Sequence, residues 1–193
     1  MKKLLMMMAM AILTMTATAQ EDSEKTGFRY GSVLTGAMSS YSGDFQGIKQ
    51  DMTFCYGGGL VAEYHFTPNV FLGTGLEFGL RGTKMEYAGG STNVKSRNLI
   101  VPVNIGGRVN VSDKLAIYAQ VGPYVSYAVK KPELQIIYSG TVKGEAFDWG
   151  FDGKVGVEIF RIFRVFGGYE LGMKKVFADS KNRSIIFGVA YML

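Results

Sequence analysis

The chain has 193 residues, with 26 glycines, 13% aromatic residues and a formal net charge of +5. Its charges of both signs are interspersed, which excludes the basic stripe typical of a nucleic-acid-binding protein, and its single cysteine, Cys55, excludes an internal disulfide. The length predicts one domain, and the composition leaves two architectures open: a soluble antiparallel barrel or sandwich, and a transmembrane β-barrel.

The first 19 residues have the pattern of a secretory signal peptide. Lys2 and Lys3 form the charged n-region, residues 4–16 form the apolar h-region, and Ala17-Thr18-Ala19 is a small-residue cleavage site. The h-region is shorter than the roughly 20 apolar residues of a spanning helix. Cleavage after Ala19 would remove two of the 21 Lys and Arg that face 16 Asp and Glu, which leaves a charge of +3. We predict a polar lead-in over residues 20–27 and a β-barrel over residues 28–193.

Period-2 alternation predicts eight strands in the remainder of the chain. In the second strand, Phe54, Tyr56 and Leu60 fall on one face, and Glu63 and His65 fall on the other. Pro102, inside the fourth strand, indicates a bulge or a lost ladder hydrogen bond. The predicted strands cover about residues 28–38, 52–66, 70–81, 95–111, 115–129, 147–159, 164–174 and 183–193.

The links between these strands alternate in length. Those after the second, fourth and sixth strands are tight, whereas those after the first, third and fifth are longer and include polar stretches over residues 41–51 and 88–93. Outer-membrane barrels show the same alternation, with short turns on the periplasmic side and longer loops on the extracellular side. We therefore expect both termini on the periplasmic side.

The last strand has two unlike faces. Ile185, Phe187, Val189, Tyr191 and Leu193 share one parity. A strand that continues to the final residue is expected to be paired on both edges, as in a closed barrel.

Periodicity gives two faces but does not say which one is inside. Two features favour a membrane orientation, with the apolar face outside. The less apolar face combines glycines with long charged side chains, which suits a narrow eight-stranded interior. Aromatic residues also recur near the strand ends, as an interfacial girdle requires. The predicted fold is therefore an all-β, eight-stranded, antiparallel, up-and-down transmembrane β-barrel.

The alternating strands, the segment Asn98-Leu99-Ile100-Val101-Pro102-Val103-Asn104-Ile105 and the final strand resemble the outer-membrane β-barrel domain family common in Bacteroidetes, which includes porin-like and PorT-like proteins. Gly79-Leu80-Arg81-Gly82 resembles a glycine-basic element of the same family. The resemblance implies a Gram-negative outer membrane as the location and lipid as the surroundings. It also implies recognition by the barrel assembly machinery, with Tyr191 and Leu193 as the assembly signal.

Charged side chains on the less apolar face are candidates for a lumen network or for a conduction path. Their mixed signs favour a network, because a selective pore more often carries rings of one sign. We expect the following residues to pair within a filled lumen: Glu63, Glu77, Arg81, Arg108, Asp148, Asp152, Lys154, Glu158, Arg164, Glu170 and Lys174.

The sequence offers no constellation for catalysis, metal binding or a cofactor. His65 is the only histidine and has no Ser-containing motif beside it, and it forms no ligand set with Cys55. The remaining candidates are exposed loop residues that would contact a surface protein or glycan, namely Tyr41, Phe45, Tyr87 and Tyr138.

We therefore expect a monomeric, non-catalytic barrel in surface structure, adhesion or an accessory role in envelope transport. Two alternatives stay open at this point. One is a narrow porin-like channel for small solutes. The other is a soluble periplasmic barrel that binds an apolar ligand.

Overall fold

A computed structural model describes residues 26–42, 49–87, 90–136, 140–177 and 180–193. All regular elements in these ranges are strands. The described residues therefore contain no helix that could span a membrane. The strands are β1 (Gly27–Ser42), β2 (Lys49–Asp51), β3 (Thr53–Thr67), β4 (Val70–Tyr87), β5 (Gly90–Ser112), β6 (Leu115–Lys130), β7 (Glu133–Ile136), β8 (Gly140–Lys143), β9 (Phe147–Ile159), β10 (Phe163–Phe177) and β11 (Ser180–Met192).

Eight long strands form a closed antiparallel ring. Its order is β1, β3, β4, β5, β6, β9, β10 and β11, and each strand pairs with its neighbours along the chain. β11 closes the ring on β1, from Gly31 opposite Met192 to Ser42 opposite Lys181. The prediction that the last strand is paired on both edges is confirmed, as is the all-β, antiparallel arrangement of eight main strands.

The outer wall of the ring is apolar. On β3, the exposed fraction of Phe54 is 53% and that of Leu60 is 60%, whereas Glu63 and His65 of the other parity are buried. The same alternation holds on β5, where Ile105 and Val109 are exposed beside buried Asn104 and Arg108. A soluble barrel with an apolar interior needs the opposite orientation, so that alternative is wrong.

The interior is narrow and contains a small aromatic cluster. Val33, Phe71, Tyr118 and Phe166 pack together inside the ring. Phe71 covers Gly106 so closely that a Cβ atom at that position would lie 2.2 Å from the Phe71 Cζ atom. The glycine is needed here because it leaves room for the ring of Phe71.

The three links at one end of the ring are tight, as predicted. They consist of Pro68 and Asn69, Asp113 and Lys114, and residues 160–162. Phe160 and Arg161 have φ angles of 53° and 60°, in the left-handed region. The Phe160 N–H donates to the carbonyl oxygen of Lys114 at 2.7 Å, which ties this turn to its neighbour.

At the opposite end the strands extend further than predicted. β4 and β5 stay paired to Tyr87 opposite Gly90, so most of the predicted loop over residues 88–93 is strand. Tyr41 belongs to β1, and Lys49–Asp51 form β2, which pairs with β4. The strands end later than predicted because the polar residues beyond the apolar wall continue the hydrogen-bonded ladder although they lack its chemical alternation.

Pro102 interrupts the β4–β5 ladder without a bulge, while it stays paired with Tyr124 of β6. The β4–β5 ladder pairs Thr74 with Val103 and Glu77 with Ile100 in one register, and no ladder pair forms between these positions. The Thr74 hydroxyl donates to the carbonyl oxygen of Pro102 at 2.9 Å. Of the two predicted consequences, the lost ladder pairing is therefore the observed one.

Candidate functional site

The inward-facing charges of the ring gather into two clusters. We call the first the turn-side cluster, because it lies toward the tight links; it consists of Arg29, Glu63, Arg108, Glu158 and Arg164. We call the second the middle cluster; it consists of Glu77, Arg81, Asp148, Asp152, Lys154 and Glu170. Period-2 parity directs each side chain inward, and ring closure brings distant strands together across the lumen.

Arg164 is the centre of the turn-side cluster. Its guanidinium donates to both carboxylate oxygens of Glu63, with Nη2 at 2.9 Å from Oε2 and Nη1 bonded to Oε1. Its Nε donates to Glu158 Oε2 at 2.7 Å. The guanidinium also lies 4.5 Å from the centre of the Tyr118 ring. All three charged side chains are at least 95% buried, so each one depends on the others for compensation of its charge.

Two further arginines contact the Glu158 carboxylate. Arg108 Nη2 lies 2.9 Å from its Oε1, and Arg29 Nη1 lies 3.0 Å from its Oε2. Arg29 also donates to the carbonyl oxygen of Arg161 in the left-handed turn. Arg29 was not among the predicted lumen residues, because the alternation of the first strand is imperfect and hides its inward parity.

His65 lies beside the turn-side cluster and contacts one of its members. Its Nε2 lies 3.2 Å from Glu63 Oε2, and its ring stacks on Phe71 with a centroid distance of 5.2 Å. The imidazole is 2% exposed. The imidazole is therefore almost fully enclosed and contacts the Glu63 carboxylate.

Arg81 organises one side of the middle cluster. Its Nη2 donates to Glu170 Oε2 at 2.8 Å, and its Nη1 donates to Asp148 Oδ2 at 3.4 Å. The Tyr124 hydroxyl donates to the same Asp148 oxygen at 3.3 Å, and its ring lies 4.6 Å from the Arg81 guanidinium.

Lys154 organises the other side. Its Nζ lies 3.3 Å from Asp152 Oδ2 and 3.5 Å from Glu77 Oε1. Asn104 Nδ2 donates to the same Asp152 oxygen at 3.2 Å. The middle cluster thus places four carboxylates around two cations, whereas the turn-side cluster places three arginines around two carboxylates.

The space left between these side chains is small. Among the described residues, three of the cavities in the lumen measure about 40, 30 and 10 Å³. A buried water needs about 10–15 Å³ on this measure, so these cavities have room for one to a few waters and for no larger solute. The cavity of about 40 Å³ lies between the two clusters, beside Glu63, Glu77, Lys154 and Arg164.

Ten of the eleven predicted lumen charges lie in the two clusters, and Lys174 does not. Its side chain is 37% exposed, and its Nζ lies 3.8 Å from Glu145 Oε2, which is 66% exposed. The β10–β11 register shifts between Leu171 and Lys175, and Lys174 falls within this irregular stretch. We therefore correct its assignment from the lumen to the open end of the ring.

Tyr41 also differs from the prediction. It was expected in an exposed loop, but its exposed fraction is 3%, and its hydroxyl lies 3.4 Å from Ser96 Oγ inside the ring. The cause is the longer β1, which carries Tyr41 inward beside β5. Phe45, Tyr138 and the side chain of Tyr87 fall outside the described part of the molecule.

The two predicted assembly residues lie at the seam between β11 and β1. The Tyr191 ring faces outward, 5.3 Å from the ring of Phe163. The Leu193 N–H donates to the carbonyl oxygen of Tyr30 at 2.7 Å, and the Tyr30 N–H donates back at 3.2 Å.

Within the described ranges, no group of three or more His, Cys, Asp and Glu side chains is arranged to hold a metal ion. Cys55 is a free thiol, fully buried inside the ring. The lumen is thus built from ion pairs and hydrogen bonds that join distant strands.

Comparison with known families decides the class of the protein. Residues 7–192 match the model of the outer membrane protein beta-barrel domain. The chain belongs to this family. Family membership identifies an outer-membrane β-barrel protein, in agreement with the apolar outer wall and the polar lumen.

Solved structures show the same fold at low sequence identity. The outer membrane protein OprG from Pseudomonas aeruginosa is 10% identical, with 88% of this chain and 97% of that chain covered and a TM-score of 0.58. Neisserial surface protein A (NspA) is 12% identical, with 88% and 99% covered and a TM-score of 0.55. No curated protein matches the sequence. At these identities the likeness concerns the fold alone.

Proposed function

We propose that the chain is an eight-stranded transmembrane barrel whose lumen is filled by side chains, and that it acts without catalysis in surface structure, adhesion or an accessory role in envelope transport. The observation that carries this proposal is the pair of ion-paired clusters, between which the described part of the chain leaves cavities of about 40 and 30 Å³. An eight-stranded ring is just wide enough for its interior to be filled in this way. The barrel would then act as a rigid support that holds the strand ends and loops at its open end outside the membrane.

The finer parts of the proposal follow from the sequence. We expect export by a signal peptide cleaved after Ala19, and delivery to the barrel assembly machinery through Tyr191 and Leu193. The resemblance to PorT-like proteins supports an envelope role. The expected state is a monomer in outer-membrane lipid, with surface protein or glycan contacts at the outer end.

Planar-bilayer recording tests the filled lumen. We expect the purified protein to insert without discrete conductance steps, since Arg81, Lys154 and Arg164 cross the lumen and are held by carboxylates on other strands. A porin added afterwards to the same membrane provides the positive control. Reproducible conductance steps from the protein alone would favour the porin-like channel instead, if their size stays constant and their number rises with the protein concentration.

A further inference from the structure

The charged side chains inside the ring do not balance one another. The turn-side cluster contains three arginines and two glutamates, whereas the middle cluster contains two cations and four carboxylates. With every one of these groups ionised, the two clusters together have one more carboxylate than cations, and the excess of negative charge lies in the middle cluster. A buried carboxylate that lacks full compensation is costly and tends to be neutralised instead. The lumen is therefore one positive charge short of neutrality.

Asp152 has unfavourable surroundings for a negative charge. Its side chain is buried, and in the β9–β10 register it lies directly opposite Glu170. Like charges in directly opposed positions destabilise a sheet. The cation in contact with Asp152 is Lys154, whose Nζ lies 3.3 Å from Asp152 Oδ2 and also 3.5 Å from Glu77 Oε1. Asp152 thus shares its cation with one carboxylate and faces another across the sheet.

Asn104 offers Asp152 a partner that suits a neutral carboxyl group. Its Nδ2 donates to Asp152 Oδ2 at 3.2 Å. Among the described residues, the second oxygen of the carboxyl group and the oxygen of the amide, Asp152 Oδ1 and Asn104 Oδ1, have no hydrogen-bond partner, although both are buried. Both atoms are acceptors while Asp152 is ionised, so they cannot bond to each other. A proton on Asp152 Oδ1 supplies the missing donor.

Gly122 shows where the amide oxygen lies relative to Asp152. Gly122 is directly opposite Asp152 in the β6–β9 register, and a Cβ atom added to it would lie 2.6 Å from Asn104 Oδ1. The amide oxygen therefore lies over the strand position that faces Asp152. A protonated carboxyl group and an amide in this arrangement form two hydrogen bonds, one in each direction.

The other charged groups of the middle cluster do not replace that proton. Each of its two cations, Arg81 and Lys154, is already shared between two carboxylates. The titratable and charged groups that surround Asp152 are Lys154 and Asp148 on its own strand, Glu170 on β10, Glu77 and Arg81 on β4, and Tyr124 on β6.

We propose that Asp152 holds a proton at neutral pH and forms a two-bond pair with Asn104, which makes the lumen of the folded barrel neutral. The proton lies on Asp152 Oδ1 and is donated to Asn104 Oδ1, while Asp152 Oδ2 keeps its contacts with Asn104 Nδ2 and Lys154. The lumen is then a binding site for one proton, which the chain takes up when it folds. This inference goes beyond the proposed function, since it concerns what the filled lumen binds.

Infrared spectroscopy of the mature full-length chain in phosphatidylcholine vesicles at neutral pH tests the proposal directly. The carbonyl stretch of a protonated carboxyl group is separate from the bands of a carboxylate, so we expect one such band. Asp152→Asn should remove it, whereas the matched control Asp113→Asn, in the exposed turn after β5, should leave it in place. Asn104→Leu should shift the band, because the carboxyl group loses both hydrogen bonds to the amide.

Urea unfolding in the same vesicles, followed by Trp149 fluorescence, measures the proton taken up on folding. Between about pH 5 and pH 7 an aspartate in water is ionised, so the folded chain holds one more proton than the unfolded chain. Its folding equilibrium constant should therefore fall about tenfold per pH unit, as the pH rises, relative to that of Asp152→Asn. At neutral pH the variant should be at least as stable as the unmodified protein, because its own Nδ2 donates to Asn104 Oδ1.

Absence of a protonated carboxyl band from the unmodified protein would overturn the proposal, whether or not the variants fold. Survival of the band in Asp152→Asn would overturn it as well, since the proton would lie on another group. A less stable Asp152→Asn variant with the pH dependence of the unmodified protein would show that Asp152 is ionised and paired with Lys154. These outcomes leave the filled barrel standing, whereas failure of the protein to enter vesicles would contradict the barrel itself.

Discussion

Replacing Arg164 by methionine is expected to lower the free energy of unfolding by about 3–5 kcal/mol. The substitution leaves Glu63 and Glu158 buried without the guanidinium that bonds to both. Urea unfolding in lipid vesicles, followed by Trp149 fluorescence, measures the change. The matched control is Arg183→Met on the exposed outer face, which should change the free energy by less than about 0.5 kcal/mol in neutral lipid.

A second substitution separates lost charge compensation from lost packing. Adding Glu63→Gln to Arg164→Met removes the carboxylate that has lost both of its hydrogen bonds to the guanidinium. This change should recover part of the stability, because the two side chains are directly coupled. Glu158 keeps Arg29 and Arg108 as partners in both variants. If the double variant were as unstable as the sum of the two single variants, the ion pair would not be the source of the effect.

An arginine at Val189 is expected to cost about 2–4 kcal/mol of unfolding free energy. Val189 is 50% exposed on the outer wall and lies near the centre of the apolar run of β11 from Ile185 to Tyr191. A charge there would meet the hydrocarbon core of the membrane. The same unfolding assay in vesicles measures the loss.

The comparison variant makes the same change at the edge of the wall. Val111 lies at the turn end of β5, is 57% exposed and reaches the interface, so Val111→Arg should cost about 0–1 kcal/mol. The difference between the two positions reports depth in the bilayer. Equal costs at both would contradict an apolar wall that faces lipid.

The strands of the wall could be predicted from sequence because their two faces differ chemically. Beyond the wall this contrast disappears. On β4, the apolar Met85 is fully buried while the charged Lys84 and Glu86 lie on the outer side. This is the reverse of the arrangement within the wall, where apolar side chains face outward and charged ones inward. The ladder continues there although the alternation does not predict it. Tyr41 was assigned to a loop for the same reason.

The lumen charges could be predicted by parity, but their partners could not. Arg164 and Glu63 are 101 residues apart in the chain, and only ring closure brings them together. The division into a basic turn-side cluster and an acidic middle cluster likewise depends on the register of eight strands. Parity also fails where the strand pairing is irregular. The register shift between Leu171 and Lys175 explains the wrong assignment of Lys174, and the shift between Arg97 and Asn98 explains the outward position of Lys130.

The most direct test of the whole account combines membrane fractionation with gel mobility before and after boiling. The protein should be recovered with the outer membrane, require detergent for extraction, and migrate differently when unboiled, since the closed ring keeps its ion-paired lumen in the cold detergent. Recovery in the soluble periplasm without detergent, or identical mobility before and after boiling, would contradict the account.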